Sequence, residues 1–82
     1  MTTQSFTGQI NTAGEWETVS SLTGITFTSG KKYNMYADSQ CQLKIADYIV
    51  PVFHEKFDYT AGSDDLYIKT GANDVTLAIL EA

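Results

Sequence analysis

The chain contains no arginine, and its five lysines face ten acidic side chains, for a net charge of −5 over 82 residues. Nucleic-acid affinity comes mainly from Lys and Arg side chains that neutralise phosphates, and bidentate recognition of guanine or phosphate requires a guanidinium group. We therefore expect no nucleic-acid partner. The lysines are scattered singly, apart from the pair Lys31-Lys32, which predicts a solvated surface and no basic patch.

Cysteine, histidine and proline occur once each. A single cysteine forms no intrachain disulfide, which excludes the cross-linked miniature folds of secreted proteins. Transition-metal sites need several His or Cys ligands, so we expect no such metal and no cofactor. The first six residues show neither the basic nor the apolar region of a secretory signal, so we expect synthesis and folding in a reducing cytoplasm.

Long apolar runs are also missing, since no segment approaches the ~18 residues that a membrane helix needs. We therefore expect no membrane partner. A hydrophobic fraction of 43% is ordinary for a folded domain. The length allows one domain over residues 1–82, without internal repeat or linker, and such a domain buries only about 60–65% of its unfolded surface.

Alternation of apolar and polar residues recurs along the chain, and helical periodicity does not, which predicts an all-β fold. About eight short strands, with turn signals every 8–12 residues or so, are typical of a small antiparallel β-sandwich or jelly roll, with a barrel as the less favoured alternative. The predicted strands cover residues 4–10, 15–22, 25–28, 32–38, 41–45, 48–59, 66–69 and 75–81, and within residues 48–59 the alternation is strict from residue 53 onward.

Three residues within these strands predict local features of the backbone or of the strand's place in its sheet. Gly8 predicts a bulge or a close approach of another group to the backbone. Pro51 lacks an N–H, which predicts that its segment lies at a sheet edge or carries a bulge. Glu55 interrupts an apolar face, which predicts a kink or a change of strand there.

The last segment, residues 75–81, is open to two interpretations. Asn73 or Asp74 would be suitable to cap a short helix. We favour a strand, because alternate residues are apolar and because Glu81 would lie unfavourably at the negative end of a helix. Leu80 then points outward, and so apolar a strand should be central in its sheet or covered by another subunit.

Two clusters carry residue types found in active or metal sites. Cys41, His54 and an aspartate contain the types of a thiol-nucleophile site, but Cys41 alternates with core residues and no catalytic signature surrounds it, so we expect no enzyme. Asp64-Asp65 and Asn73-Asp74 are suitable for turns and supply few of the six to eight oxygens that calcium takes. Whether these four side chains bind a cation stays open.

The aromatic residues are the third group, and three tyrosines are predicted to point outward. Together with Leu80, Tyr36, Tyr48 and Tyr67 form the candidate interaction surface. Tyrosine offers a large, rigid contact at low entropic cost, which suits a protein partner. Exposed rings also stack on sugars, so a carbohydrate-binding module is the alternative.

The aromatic strands together resemble a known class of protein. The pattern comprises Gly14-Glu15-Trp16, residues 30–36 (GKKYNMY), residues 65–69 (DLYIK) and residues 75–81 (VTLAILE). It resembles the small β-domain virion proteins encoded in the structural-gene regions of tailed bacteriophages. The resemblance implies a non-catalytic structural or attachment module in the virion, in contact with other virion proteins. A homo-oligomer, a trimer or another ring, is expected, held by aromatic and aliphatic burial more than by charge.

Overall fold

The computed structural model describes residues 4–52, 55–71 and 73–82, which form two four-stranded antiparallel sheets around one apolar core. The elements are β1 (Ser5–Ile10), β2 (Glu17–Thr18), α1 (Val19–Thr23), β3 (Lys32–Ala37), β4 (Cys41–Ile45), β5 (Tyr48–Val52), β6 (Glu55–Thr60), β7 (Leu66–Thr70) and β8 (Val75–Glu81). The prediction of a small all-β domain of about eight short strands is confirmed.

The strand order is β1-β8-β3-β6 in the first sheet and β2-β7-β4-β5 in the second. Strands pair as β1 with β8, β2 with β7, β3 with β6, and β4 with β5. This is the pairing of one long hairpin whose tip is the two-residue turn Ala46-Asp47 and whose two arms wind together. The β3–β8 and β4–β7 pairs join successive windings. The topology is that of a jelly roll.

Period-two alternation places one face of each strand in the core. In β3, Tyr33, Met35 and Ala37 share one face and are buried, and the residues between them point outward. The same alternation holds across the centre of both sheets. The remaining buried hydrophobic residues of the strands are Ile10, Cys41, Leu43, Val52, Tyr59, Leu66, Ile68, Val75, Leu77 and Ile79.

The C-terminal segment is a strand, and the helical alternative for it is wrong. β8 is the longest strand and is central, because β1 and β3 pair with its two edges. Both rows of its backbone groups are therefore used, which removes the aggregation hazard of an apolar edge. Leu80 lies on the outer face, as predicted, and is 51% exposed.

The predicted strand over residues 15–22 is wrong for most of its length. Only Glu17 and Thr18 pair with β7, and the chain then turns into the five-residue helix α1. Val19 and Leu22, three positions apart, lie on its core side, so helical spacing was hidden among small polar residues. Gly24 ends the helix at φ 77°, donating its N–H to the Ser20 carbonyl.

The predicted strand over residues 25–28 is also wrong, although its faces are right. Ile25 is buried and Phe27 packs against the core. Side chains take the place of strand partners: the Gln4 amide accepts from Thr26 N at 2.8 Å and donates to its carbonyl at 2.9 Å. Alternation of apolar and polar residues therefore indicates which side chains are buried, but it does not indicate whether the backbone pairs with another strand.

The three positional predictions agree with the structure. The Phe6 ring lies over Gly8, where an added Cβ would come within 3.0 Å of it. Pro51 lies in β5, an edge strand, and Glu55 begins β6 in the other sheet, so the chain changes sheet before it. Phe53 and His54 lie outside the described residues.

Candidate interaction surfaces

The four residues predicted to form an interaction surface occupy three places. Tyr36 and Leu80 share the outer face of the first sheet, where Tyr36 is half-buried. Tyr67 lies on the outer face of the second sheet. Tyr48 begins the edge strand β5 and is 73% exposed. The structure thus brings Tyr36 and Leu80 together and separates the other two from them.

The edge strand β5 is apolar on both of its faces. Tyr48, Ile49 and Val50, which we call the apolar edge, are exposed large hydrophobic residues, and only Val52 of this strand is buried. β5 contains no charged side chain. Since Pro51 removes one donor from the free edge, a further strand would add to it poorly. Side-chain contact is the interaction that the apolar edge offers.

The outer face of the second sheet carries a cluster of two lysines and two aromatic rings. Lys44 lies directly across from Tyr67, and Trp16 immediately precedes β2, which pairs with the same strand as Tyr67. The ammonium nitrogens of Lys44 and Lys69 each lie 5.0 Å from the centroid of the Trp16 ring, and that of Lys44 lies 5.4 Å from the Tyr67 ring. These four residues form what we call the lysine–aromatic face.

Neither Lys44 nor Lys69 forms an ion pair with a carboxylate within the part of the chain that the structure describes. The ion pair found there is Lys31 with Glu81, at 3.7 Å, on the other sheet. Glu17 is adjacent to Trp16 in sequence, but it lies across from the buried Ile68 and therefore on the opposite side of the sheet. A protein of net charge −5 thus places two ammonium groups beside one aromatic ring.

Sequence reasoning missed the lysine–aromatic face, because Lys44 and Lys69 are 25 positions apart and appeared as isolated solvated residues. Their alternation with the core residues of β4 and β7 was a partial signal, since it placed both outward. Bringing them to one ring required the pairing of β2, β7 and β4.

A polar groove of about 460 Å³ opens beside Lys69, at one end of the same sheet. Hydroxyl and amide side chains contribute much of its lining. Among the described residues that line it, none carries a carboxylate. The polar side chains are those of Ser39, Gln40, Gln42, Lys69, Thr70 and Asn73.

The outer face of the first sheet has an open groove of its own, of about 510 Å³. Leu80, Tyr36 and Ala78 line its apolar part, and Lys56 and Asp58 line its opposite side. This groove is more apolar than the one beside Lys69, and it includes two of the four residues that the sequence predicted for contact.

The comparisons with known proteins concern the fold. The structure is similar to the solution NMR structure of a de novo designed double-stranded β-helix, with a TM-score of 0.70 over 96% of this chain and 99% of the designed chain. The fold is a double-stranded β-helix. The two sequences are 10% identical, so the likeness extends to the fold alone. No family model matches the chain, and no curated protein matches its sequence.

Within this double-stranded β-helix, Cys41 faces the core, and its environment opposes a role as nucleophile. The side chain is 3% exposed, and burial raises the pKa of the thiol to about 11. The thiolate is the reactive form of cysteine, so little of it exists near neutral pH. His54, its predicted partner, lies outside the described residues.

We expect the native Cys41 thiol to react with a disulfide reagent at pH 8 roughly a hundredfold more slowly than in the urea-unfolded chain. Because the folded pKa is raised, the contribution of the neutral thiol to stability is complete below the unfolded pKa, near 9, and is lost as pH rises toward 11. Thiol-labelling kinetics in native buffer and in urea measure this. Equal rates in the two states would contradict the burial argument.

The acidic loops are separated by the structure. Asp64-Asp65 precede β7 and Asn73-Asp74 follow it, so the two pairs lie at opposite ends of this strand. Asp74 accepts a hydrogen bond of 2.9 Å from the Asn11 side chain. Residues 4–52, 55–71 and 73–82 contain no group of three or more His, Cys, Asp or Glu side chains suited to a metal ion.

Helices that could cross a bilayer are not found in the described part of the chain, where α1 has five residues.

Proposed function

We propose that this protein is a non-catalytic structural or attachment module of a phage-like particle, acting through contacts between its own copies and with other virion proteins. The observation that carries the proposal is the apolar edge. Tyr48 is 73%, Ile49 is 50% and Val50 is 37% exposed, in one strand without a charge. Contiguous exposed hydrophobic surface of this kind marks contact sites.

The arrangement of surfaces favours a ring. The apolar edge lies at the border of the second sheet, whereas Leu80 and its groove lie on the outer face of the first sheet. Contact between two different surfaces of neighbouring copies is heterologous, and such contacts close into rings when the rotation permits. The proposed trimer or larger ring would place the apolar edge of one copy against the Leu80 groove of the next.

The charge of the chain supports apolar contact over ionic contact. Copies with a net charge of −5 repel one another, and no guanidinium is present to form bidentate ion pairs across an interface. Burial of aliphatic and aromatic side chains, at about 25 cal/mol per Å² removed from water, does not depend on charge. A domain of 82 residues also gains stability from such contacts, since its own core is small.

The test is the oligomeric state of the wild type and of the Ile49→Lys/Val50→Lys variant, measured by native mass spectrometry and sedimentation velocity. We expect a closed oligomer for the wild type and monomer for the variant, because two lysines in the interface would be desolvated without partners. Thr60→Lys/Ser63→Lys is the control, since it adds two lysines at exposed positions that lie outside both the apolar edge and the Leu80 groove.

A wild type that stays monomeric at millimolar concentration would overturn the proposal, as would equal dissociation of the control variant. Membership of a particle has its own test. Antibodies against the folded domain should label purified phage-like particles at regular positions in immuno-electron microscopy, and particles without label would exclude the virion role.

Carbohydrate binding is the second candidate function. The sequence suggested this function through three outward tyrosines, but they do not form one sugar-binding surface, because Tyr36, Tyr48 and Tyr67 lie in three places. The lysine–aromatic face is the observation that favours it.

A further inference from the structure

We propose that the lysine–aromatic face and the polar groove beside it bind an acidic saccharide, with the carboxylate of a uronic acid near Lys44 and Lys69. This site lies on the outer face of the second sheet and meets the proposed contact between copies at Ile49, which lies directly across from Lys44. If the protein is the attachment module proposed above, the acidic saccharide would be the ligand to which it attaches.

The first argument is charge. Both ammonium groups lie 5.0 Å from the centroid of one ring, so they are within twice that distance of each other. Like charges at this separation repel, and within the described residues no carboxylate forms an ion pair with either of them. An anionic group bound beside Trp16 would relieve that repulsion, which is a direct charge complementarity between site and ligand.

The second argument is shape. Trp16, Tyr67 and the two lysines are half-buried on a sheet, so their stems and rings form a supported surface and are not freely mobile. Across the same face Lys44 is the neighbour of Tyr67 on one side and of Ile49 on the other. A face of aromatic, aliphatic and methylene groups is suited to the C–H face of a pyranose ring, with the ammonium groups at its edge.

The third argument distinguishes a saccharide from an acidic peptide. The groove beside Lys69 continues the site with hydroxyl and amide groups of Ser39, Gln40 and Gln42, which donate to and accept from sugar hydroxyls. A peptide would need apolar pockets for its side chains. The groove is instead polar, with about 460 Å³ of space for further sugar units.

The experiment titrates the full chain with tetragalacturonate and follows the fluorescence of Trp16, the single tryptophan of the sequence. The matched ligand is the same tetrasaccharide as its methyl ester, which keeps the sugar and removes the charge. We expect the acid to shift the Trp16 emission saturably, more weakly at 0.5 M salt, and the ester to bind roughly tenfold more weakly or not at all.

The variant Lys44→Gln/Lys69→Gln should lose affinity for the acid roughly tenfold. The control, Lys32→Gln/Lys56→Gln, removes the same charge from the other sheet and should change the affinity less than twofold. Equal losses in the two variants would show non-specific attraction and overturn the proposal, as would a wild type that binds neither ligand. Binding of poly-glutamate as tight as that of the saccharide, with the same loss in Lys44→Gln/Lys69→Gln, would replace the saccharide by an acidic protein.

Native mass spectrometry of the same samples reports the oligomeric state separately. Loss of saccharide binding with the oligomer intact, or the reverse, therefore distinguishes failure of this site from failure of the proposed function.

Discussion

Replacing Tyr33 by alanine is expected to cost about 3–5 kcal/mol of unfolding free energy, the range for removing a large buried aromatic side chain. Tyr33 is fully buried in β3, and its ring contacts Phe27 edge-on at 4.8 Å between centroids. Its hydroxyl accepts a hydrogen bond from Thr28 N and donates one to the Thr26 carbonyl. For a chain of this size the loss is comparable to the whole stability, about 4–12 kcal/mol.

Tyr33→Phe separates the two contributions of this residue. It keeps the ring and its contact with Phe27 and removes the hydroxyl that holds the segment 25–28, so we expect a smaller loss, about 1–2 kcal/mol. Urea unfolding followed by far-UV circular dichroism, at low protein concentration, measures both variants. Tyr48→Ala is the control, because the Tyr48 side chain is 73% exposed and should cost less than about 0.5 kcal/mol. Equal losses for Tyr33→Phe and Tyr33→Ala would contradict the burial argument.

Thr70→Val is expected to cost about 1–3 kcal/mol, although valine matches threonine in shape. The Thr70 hydroxyl accepts a hydrogen bond from Thr12 N, and the Thr12 hydroxyl accepts one from Thr70 N, both at 2.9 Å and both buried. Each hydroxyl therefore satisfies a backbone N–H of the other residue across 58 positions of sequence. Valine would leave the Thr12 N–H buried without an acceptor.

Thr12→Val should cost a similar amount, and the double variant should depart from the sum by about 0.5–3 kcal/mol, because the two residues are in direct contact. The control is Thr60→Val, at an exposed position of an edge strand, which should be close to neutral. Urea unfolding of the four variants and of the wild type gives the comparison. A Thr70→Val variant as stable as the wild type would show that these hydrogen bonds contribute nothing.

This pair of threonines also connects stability to the lysine–aromatic face. The Gly14 N–H donates to the Thr70 carbonyl at 2.9 Å, so the turn that leads to Trp16 is attached to the end of β7. Lys69, on the same strand, lies over the Trp16 ring. Thr70→Val should therefore loosen the position of Trp16 relative to Lys69. Besides lowering the free energy of unfolding, it should weaken the binding of the acidic saccharide proposed above, measured by the same Trp16 fluorescence titration.

Much of the strand content and of the core could be predicted from the sequence, because the side-chain period of a strand is two. Alternation puts Tyr33, Met35 and Ala37 on one face of β3, and that face is buried. The missing N–H of Pro51 predicts an edge or a bulge, and its strand is an edge strand. The predictions failed where small polar residues gave no period, as in α1, and where the Gln4 side chain replaced a strand partner for Thr26.

The candidate sites were likewise predictable in part: the sequence indicates which side chains point outward, but not which of them are neighbours. The outward positions of Tyr36, Tyr67 and Leu80 follow from alternation, but which outward residues become neighbours depends on register and strand order. Tyr36 joins Leu80 because β3 pairs with β8, and Tyr67 joins Lys44 because β7 pairs with β4. No local pattern contains that information.

By itself, then, the sequence determined the all-β class, the alternating faces of most strands, the need for an apolar C-terminal strand to be either central or covered, and the absence of arginine from any contact. The tertiary structure alone decided that the two arms of one long hairpin wind together, and this winding brings residues 16, 44 and 69 to one ring and leaves Tyr48, Ile49 and Val50 at an uncovered edge. The physical reason is that side-chain direction is a local property of a strand, whereas pairing joins strands distant in sequence.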